Sequence, residues 1–274
     1  MKIESGISNL VNMPKLLDGA NYMRLYNEAY GSEFYSPEQI RMTETHADPY
    51  LYPNVNWFDE LFTKFSTNSQ VSVNVRGGGE RARYYVTASY LRDNGNLYNN
   101  PDTDYNTNIN ITRYNFRSNI DMSLTKTTTL SLEIGANMTD AHQPRPITSS
   151  NNFQSQASEL FSACYQQDPI TTPVRVPLGY NEFGEMQWGW GAPLSTSVGN
   201  PAERLFGSGY NKTYRTSVMS QIILKQNLDF LTKGLDFTAS FSYDVNTVSI
   251  QSRGKYSSLY AVNGCLLYTS PSPR

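Results

Sequence analysis

A long alternation of apolar and polar residues between Arg113 and Met138 constrains the fold more than any other feature of this sequence. Successive side chains of a β-strand point to opposite faces, so each alternating arm has one apolar and one polar face. The apolar row runs through Tyr114, Phe116, Ile120, Met122 and Leu124, then through Leu130, Leu132, Ile134, Ala136 and Met138. A short turn at Thr125–Thr127 separates the two arms, which predicts one long antiparallel hairpin.

The length of the two arms narrows the choice of fold. Each arm has about a dozen residues, whereas a strand of a globular domain usually has about 5–6. A strand that crosses a bilayer at a tilt needs about 9–11 residues, with alternate side chains facing lipid and lumen. The length and the charged second face favour a membrane barrel, although a soluble sandwich can give the same alternation. The distinction depends on whether the hairpin repeats.

The pattern recurs in two further hairpins, over 71–90 and 218–245, and 252–262 is predicted as the next strand. The three short turns are Gly77–Glu80, Thr125–Thr127 and Leu231–Gly234. Long connections at 92–108 and 139–209 alternate with them. Short turns on one rim and long loops on the other are typical of outer-membrane barrels, whereas a Greek-key sandwich does not sort its loops in this way.

The composition agrees with a polar lumen and aromatic girdles, because charged residues are only 17% of the chain while tyrosines number 20. The net charge of −2 gives no reason to expect a nucleic-acid partner. The sequence contains no run of 18 apolar residues and does not begin with a signal peptide, so we expect it to lack its true start. Cys164 is expected to be a buried thiol without a disulfide or metal role.

Residues 11–66 predict an irregular, partly helical insert ahead of the long strands. Helices are expected at about 20–30, from 37 to near 42, and at 56–62. Each begins at a residue that commonly caps a helix, namely Asp18, Ser36 and Asn56. Ser36 is followed by proline at the first helical position and by Gln39, which predicts a capping box.

Four segments carry a resemblance to a known family. They include Met13-Pro14-Lys15-Leu16-Leu17-Asp18, Tyr52-Pro53-Asn54-Val55-Asn56-Trp57, Arg76-Gly77-Gly78-Gly79-Glu80 and Tyr114-Asn115-Phe116-Arg117-Ser118. In this order, over most of residues 7–140, they resemble the start of the barrel in SusC-like TonB-dependent outer-membrane transporters. The resemblance implies an all-β fold, a partial antiparallel transmembrane β-barrel with long, partly helical extracellular loops.

The resemblance also implies a setting and partners. A complete barrel of this family has about 22 strands, so about a third is expected here, in residues 1–264. The family's plug and TonB-contacting segment have no counterpart in this sequence. Residues 265–274 look like translated sequencing adapter and are set aside. A multi-pass protein of the Gram-negative outer membrane follows, with the lipid bilayer, a SusD-like surface lipoprotein, the TonB complex and a glycan or oligopeptide substrate as partners. No cofactor is expected.

Two sets of side chains are candidates for contacts with a substrate or with the plug. Aromatic rings stack on sugars and pack against peptides, and the candidates of this kind are Trp188, Trp190, Tyr180 and Trp57. The residues expected to face the lumen or the plug are Arg113, Asn115, Arg117, Asn119, Asp121 and Glu133. Asp102, Asp104 and Asn106 have the first ligand spacing of a calcium loop but lack its later glycine and glutamate, so an Asx-rich turn is favoured.

The sequence contains no motif typical of an enzyme, and its only histidines, His46 and His142, fall in predicted proline-flanked loops. We therefore expect an importer that binds and passes its substrate without bond chemistry. Two alternatives remain open at this point. One is a siderophore or cobalamin receptor of the same fold. The other is a secreted β-sandwich that binds glycans or adheres, in which the apolar rows of two sheets would face each other.

Overall fold

The computed structural model describes residues 1–101, 103–145, 153–193, 199–263 and 266–269. Antiparallel β-sheet dominates it, with short helices between the long strands. The strands are β1 Lys2–Asn9, β2 Phe65–Gly78, β3 Ala82–Asn94, β4 Asn110–Ser123, β5 Thr128–Pro144, β6 Arg175–Tyr180, β7 Met186–Gly191, β8 Gly209–Asn227, β9 Asp236–Gly254, β10 Leu259–Asn263 and β11 Leu266–Thr269. The helices are α1 Gly19–Tyr30, α2 Pro37–Glu44, α3 Trp57–Leu61, α4 Phe153–Gln166 and α5 Pro201–Phe206.

Seven strands form one sheet in the order β1-β2-β3-β4-β5-β8-β9, and every pairing is antiparallel. Neighbours in this sheet follow each other along the chain, apart from the small strands between β5 and β8. The sheet is open, with β1 and β9 at its edges, and is not a closed barrel. The all-β prediction is confirmed at this coarser level.

The strand register brings every predicted apolar row onto the same side of the sheet. Directly paired residues in an antiparallel sheet share a face. One row across four strands reads Tyr90, Tyr114, Met138 and Thr216, and the next reads Ala88, Phe116, Ala136 and Val218. We call this side the apolar face, and the opposite side the polar face. Large apolar side chains on the apolar face remain exposed, including Phe241 at 65% and Phe237 at 52%.

The three predicted short turns are confirmed, since β2–β3, β4–β5 and β8–β9 are joined by 79–81, 124–127 and 228–235. The longest connection was predicted over 139–209 without helices or strands of its own, and here the structure differs from the prediction. Strand β5 continues to Pro144, and the remainder contains α4, β6, β7 and α5. The apolar residues of this connection form helices and strands because they bury one another in a common core, which no local sequence pattern reveals.

Helices α1–α5 and strands β6, β7 and β10 build a second layer at the long-loop end of the sheet, which we call the cap. Its core consists of Trp57, Phe58, Leu61, Leu97, Leu160, Cys164, Ala202 and Leu205. The cap also adjoins the upper polar face, where Ala141 is fully buried and Gln143 is 2% exposed. The core therefore lies between the cap helices, and the lower part of the sheet has no comparable cluster among the described residues.

The predicted caps explain where the first three helices begin. The Asp18 carboxylate accepts a hydrogen bond from the backbone N–H of Asn21 at 2.8 Å, and Asn56 caps α3 in the same way. Ser36 and Gln39 form the expected capping box, with both reciprocal hydrogen bonds present. Helix α1 ends at Gly31, whose φ of 71° is the left-handed conformation that glycine adopts without strain.

The segment predicted as one strand over 252–262 is divided between two sheets, which corrects that prediction. Strand β9 ends at Gly254, and the chain then leaves the main sheet. Strand β10 pairs in parallel with β7 in a small cap sheet of order β11-β10-β7-β6. The backbone of β11 pairs with β10, whereas Cys265 and residues 270–274 lie outside the described residues. The adapter origin of residues 265–274 stays a prediction.

Candidate functional site

The most exposed aromatic side chains of the cap lie on the β6–β7 hairpin. Pro177 pairs with Trp188, and Tyr180 pairs with Met186 at the turn. The turn is closed by Asn181, whose side-chain oxygen accepts from the backbone N–H groups of Phe183 and Glu185 at 2.9 Å each. Tyr180 is 73% exposed, Phe183 87% and Trp188 48%. A rigid hairpin therefore presents three aromatic rings to solvent.

Trp190 lies two residues further along β7, where it lines a cavity of about 390 Å³. The guanidinium of Arg175 lies 4.7 Å from the centre of the Trp190 ring, on the face of the ring. Phe206 stacks with the same indole at 6.2 Å. Tyr98 and Glu60 also line this cavity. The site thus combines aromatic walls with one cation, Arg175, and two carboxylates, Asp59 and Glu60.

The electrostatics of this cavity are set by α3. Partial burial, with the neighbouring Asp59 carboxylate as a second cause, raises the pKa of Glu60 above its ordinary value. Asp59 itself accepts a hydrogen bond from the Asn56 side-chain amide at 2.6 Å. A cation brought near Glu60 would oppose both effects and favour the charged carboxylate.

Trp57, the fourth aromatic candidate, lies in the cap core and is 1% exposed. Its indole N–H donates to the backbone carbonyl of Asp168 at 3.1 Å, so its polar group is satisfied inside the cap. The structure brings Trp188 and Trp190 together on one strand with Tyr180 nearby. It does not bring Trp57 to the same surface.

The residues predicted to face the lumen or the plug share the polar face. Asn119 pairs directly with Glu133, and Arg113 pairs with Thr139 on the neighbouring strand. Asn115 donates to the Ser89 hydroxyl at 3.1 Å, and Asp121 accepts from the Ser131 hydroxyl at 2.5 Å. Arg117 pairs with Gly135, where a side-chain methyl group would meet nothing within 4 Å, so the wall has a recess. What contacts this wall in the cell stays a prediction.

The weak calcium candidate is only partly visible. Asp102 lies outside the described residues, while Asp104 and Asn106 lie in the loop between β3 and β4. The side-chain oxygen of Asn106 accepts from the backbone N–H of Asn108 at 2.8 Å, which is an Asx-turn hydrogen bond. Among the described residues, no group of three or more histidine, cysteine, aspartate or glutamate side chains is placed to hold a metal ion.

An aromatic cluster on α1 was not predicted from the sequence as a surface. Tyr26 stacks with Tyr30 at 6.0 Å and contacts Phe34 at 5.2 Å. Asn27 holds the loop after the helix, because its side chain bonds the backbone of Phe34 and Tyr35. The signal was present in the four-residue spacing of the tyrosines, which places them on one side of a helix. Arg175, equally unforeseen, could not be linked to Trp190 before the hairpin register was known.

Within the described part of the chain, no helix is both long and apolar enough to cross a membrane. No protein-family model matches the sequence, and no curated protein matches it. Solved structures do share its fold, and they include structures of a peptide importer.

Structures of the RagAB peptide importer are among them. The chain aligns with its closed-closed state at a TM-score of 0.57 and 15% identity, and with its open-open state at 0.56 and 13%. Each alignment covers 91% of this chain and 28% of the solved chain. The chain therefore has the fold of a segment of those proteins and spans about 28% of their length.

Proposed function

We propose that this chain is part of a SusC-like, TonB-dependent importer of the Gram-negative outer membrane that takes up a bulky nutrient. The observation that carries the proposal is the continuous apolar face. Seven paired strands align their apolar residues on one side, and these residues remain exposed to an extent that water disfavours. Contact with lipid tails accounts for this face, and strands of 13–19 residues from β2 to β9 in the main sheet are long enough to cross a bilayer.

The cap and the polar face support the transport part of the proposal. All of the cap lies at the long-loop end, the end that faces outward in outer-membrane barrels. Its exposed rings on β6–β7 and the cavity beside Trp190 offer stacking surfaces at the entrance. The polar face below offers arginines and carboxylates along the wall. Such surfaces bind and pass a substrate without bond chemistry, so we propose no enzymatic step.

An oligopeptide or a glycan is the proposed substrate class. The likeness to the RagAB peptide importer favours a peptide, since both share this fold. Aromatic rings suit either substrate, because they stack on sugars as readily as they pack against peptide side chains. We further propose a SusD-like surface lipoprotein at the outer side and energy delivered through the TonB complex, both on the basis of the sequence resemblance.

The two alternative functions are less well supported. A secreted β-sandwich requires a second sheet over the apolar rows. In the described residues the second sheet belongs to the cap, and Phe116 and Tyr243 on the apolar face are 42% and 60% exposed. A siderophore or cobalamin receptor would share the sheet, but the helical insert between β1 and β2 resembles the glycan and peptide branch of the family.

Uptake by the intact transporter tests the proposal. A strain that carries the full-length gene is compared with its deletion strain for accumulation of labelled oligopeptides and, separately, labelled oligosaccharides. We expect the deletion to abolish the uptake of one class, and addition of an uncoupler to do the same in the parent strain. Undiminished uptake of both classes in the deletion strain would contradict the proposal.

Substitutions in the cap refine this test. Trp188→Ala and Tyr180→Ala are expected to raise the concentration for half-maximal uptake about tenfold together, because two stacking surfaces are lost. Phe230→Ala is the matched control, since Phe230 is 73% exposed but lies in the short turn at the opposite end of the sheet. If Phe230→Ala raised the concentration for half-maximal uptake as much as the double variant does, the β6–β7 hairpin would have no specific role in substrate binding.

A further inference from the structure

A groove crosses the middle rows of the apolar face, on the side nearer the cap. It has a volume of about 410 Å³ and is lined almost wholly by apolar groups. Its floor is formed at Ala88 and Ala136, whose small side chains lie on either side of Phe116 in one cross-strand row. Larger side chains rise above them in the next row, where Tyr90 and Tyr114 contact each other at 5.3 Å. The volume falls within the range of about 300–1,000 Å³ that is typical of small-ligand sites.

Two cations lie beyond this groove toward the cap, on the same side of the sheet. Arg92 is two residues beyond Tyr90 on β3, and therefore about 7 Å further toward the cap. Its side chain is exposed and has no ion pair with any described residue. On β8, Lys212 lies beyond the groove residue Thr216 and shares its charge with Asp140 at 3.5 Å and with the Tyr214 ring at 4.8 Å. Arg92 is thus the exposed cation next to the upper end of the groove, whereas the ammonium of Lys212 is four residues beyond Thr216 and is partly neutralised.

Together these features match one kind of ligand. An apolar groove accommodates an acyl chain, and a cation within one or two residues of its upper end meets an anionic headgroup. Tyrosines between them suit the boundary of the membrane, where amphipathic rings are favoured. The two parallel N–H groups of an arginine match the oxygens of a phosphate, whereas an ammonium group has the same charge as the guanidinium and is repelled by it.

We propose that this groove binds one phosphate-bearing lipid of the outer leaflet, with an acyl chain over Ala88 and Ala136 and the phosphate at Arg92. The inference rests on the proposed membrane location, which puts the cap on the outer side. Lipids elsewhere on the apolar face exchange freely, whereas this one stays with the protein.

Native mass spectrometry of the full-length importer, released from outer membranes into mild detergent, tests the inference. The wild-type protein is expected to retain one phosphate-bearing lipid through repeated detergent exchange. Ala88→Leu combined with Ala136→Leu fills the groove and should abolish retention. Arg92→Gln removes the phosphate partner without altering the groove and should lower the retained fraction about tenfold.

Two controls make the result decisive. Ala239→Leu adds the same bulk at an exposed position on the apolar face of β9, away from the groove, and should retain the lipid. Lys126→Gln removes a cation at the short-turn end and should also retain it. Retention that is equal in all variants, or retention of a lipid without a phosphate, would overturn the inference. Nutrient uptake measured on the same strains separates the two proposals, because normal uptake without lipid retention rejects only the lipid site.

Discussion

At the scale of single residues, the cap contains aromatic side chains of two kinds, those that build its core and those that face solvent. Trp57 and Trp188 are the clearest pair, since one is 1% exposed and the other 48%. Their surroundings assign them different physical roles, although sequence patterns treat them alike. The difference leads to the first prediction.

Trp57→Ala is expected to destabilise the cap by about 3–5 kcal/mol, because it leaves a cavity in a packed core and an unbonded Asp168 carbonyl. Trp188→Ala is expected to change stability by less than about 1 kcal/mol, since the ring is half exposed. Protease cleavage of the cap in the intact protein, measured over a urea series, gives both values. Similar urea midpoints of cleavage for the two variants would contradict the assignment of Trp57 to the cap core and of Trp188 to the surface.

The thiol of Cys164 provides a second prediction at this scale. The residue is fully buried, and burial raises its pKa to about 12. A thiolate is the reactive form, and a free thiol with a pKa of about 8.5 is roughly one quarter thiolate at pH 8. We expect native Cys164 to be modified far more slowly than such a thiol at each pH, because little thiolate forms and the group is buried, and to react readily only when the cap opens.

The labelling experiment uses a Cys265→Ser background, so that Cys164 is the single cysteine of the chain. Iodoacetamide modification is followed by mass spectrometry at pH 7, 8 and 9, with and without urea. Fast modification at pH 8 without urea would show that the thiol is accessible, and that α4 does not pack as described.

At the scale of elements, Asn200 joins three parts of the cap. Its side-chain amide donates to the carbonyls of Pro173, Val174 and Gly191 at 3.2, 3.0 and 2.9 Å, while its oxygen caps α5 through Ala202. The residue is fully buried. One side chain thereby fixes the start of a helix against the base of the β6–β7 hairpin.

Asn200→Ala is expected to cost about 3 kcal/mol, because several buried carbonyls lose their donor and α5 loses its cap. Asn56→Ala is the matched control, since Asn56 caps α3 from an exposed position and its loss should cost about 1 kcal/mol. The same urea-dependent proteolysis reports both. If the two variants were equally stable, the hydrogen bonds from Asn200 to the β6–β7 hairpin would not contribute to the stability of the cap.

At the scale of the whole molecule, the two faces of the sheet define two environments. Phe116 lies in the middle rows of the apolar face, and Asn115 is its neighbour on the polar face. In a bilayer, an arginine at the first position loses its water, whereas at the second it points into the lumen. No such asymmetry is expected for a sheet that has water on both sides.

Phe116→Arg in the full-length protein is therefore expected to destabilise the folded, inserted state by about 2–4 kcal/mol, and Asn115→Arg by less than about 1 kcal/mol. Reversible unfolding in lipid vesicles, followed by tryptophan fluorescence, measures the difference. A larger loss of stability for Asn115→Arg than for Phe116→Arg would place the polar face against the lipid. It would contradict the assignment of the two sides of the sheet.

The sequence alone determined the long strands of the three hairpins, the short turns and the first three helices, because these depend on local patterns. Alternation with period two fixes which residues share a face, Gly77–Gly79 permits a tight turn, and Asp18, Ser36 and Asn56 each supply the oxygen that a helix start requires. The same alternation also places the residues expected to face the lumen or the plug together on the polar face of the sheet.

Only the tertiary structure decided how the long connection folds, that Trp57 is buried while Trp188 is exposed, and that Ser252–Val262 is divided between two sheets. The reason is physical: these outcomes depend on contacts such as Trp57 with Asp168 and β10 with β7, which join residues far apart in the chain. Burial of this kind is a property of the assembled cap, and no local pattern of residues encodes it.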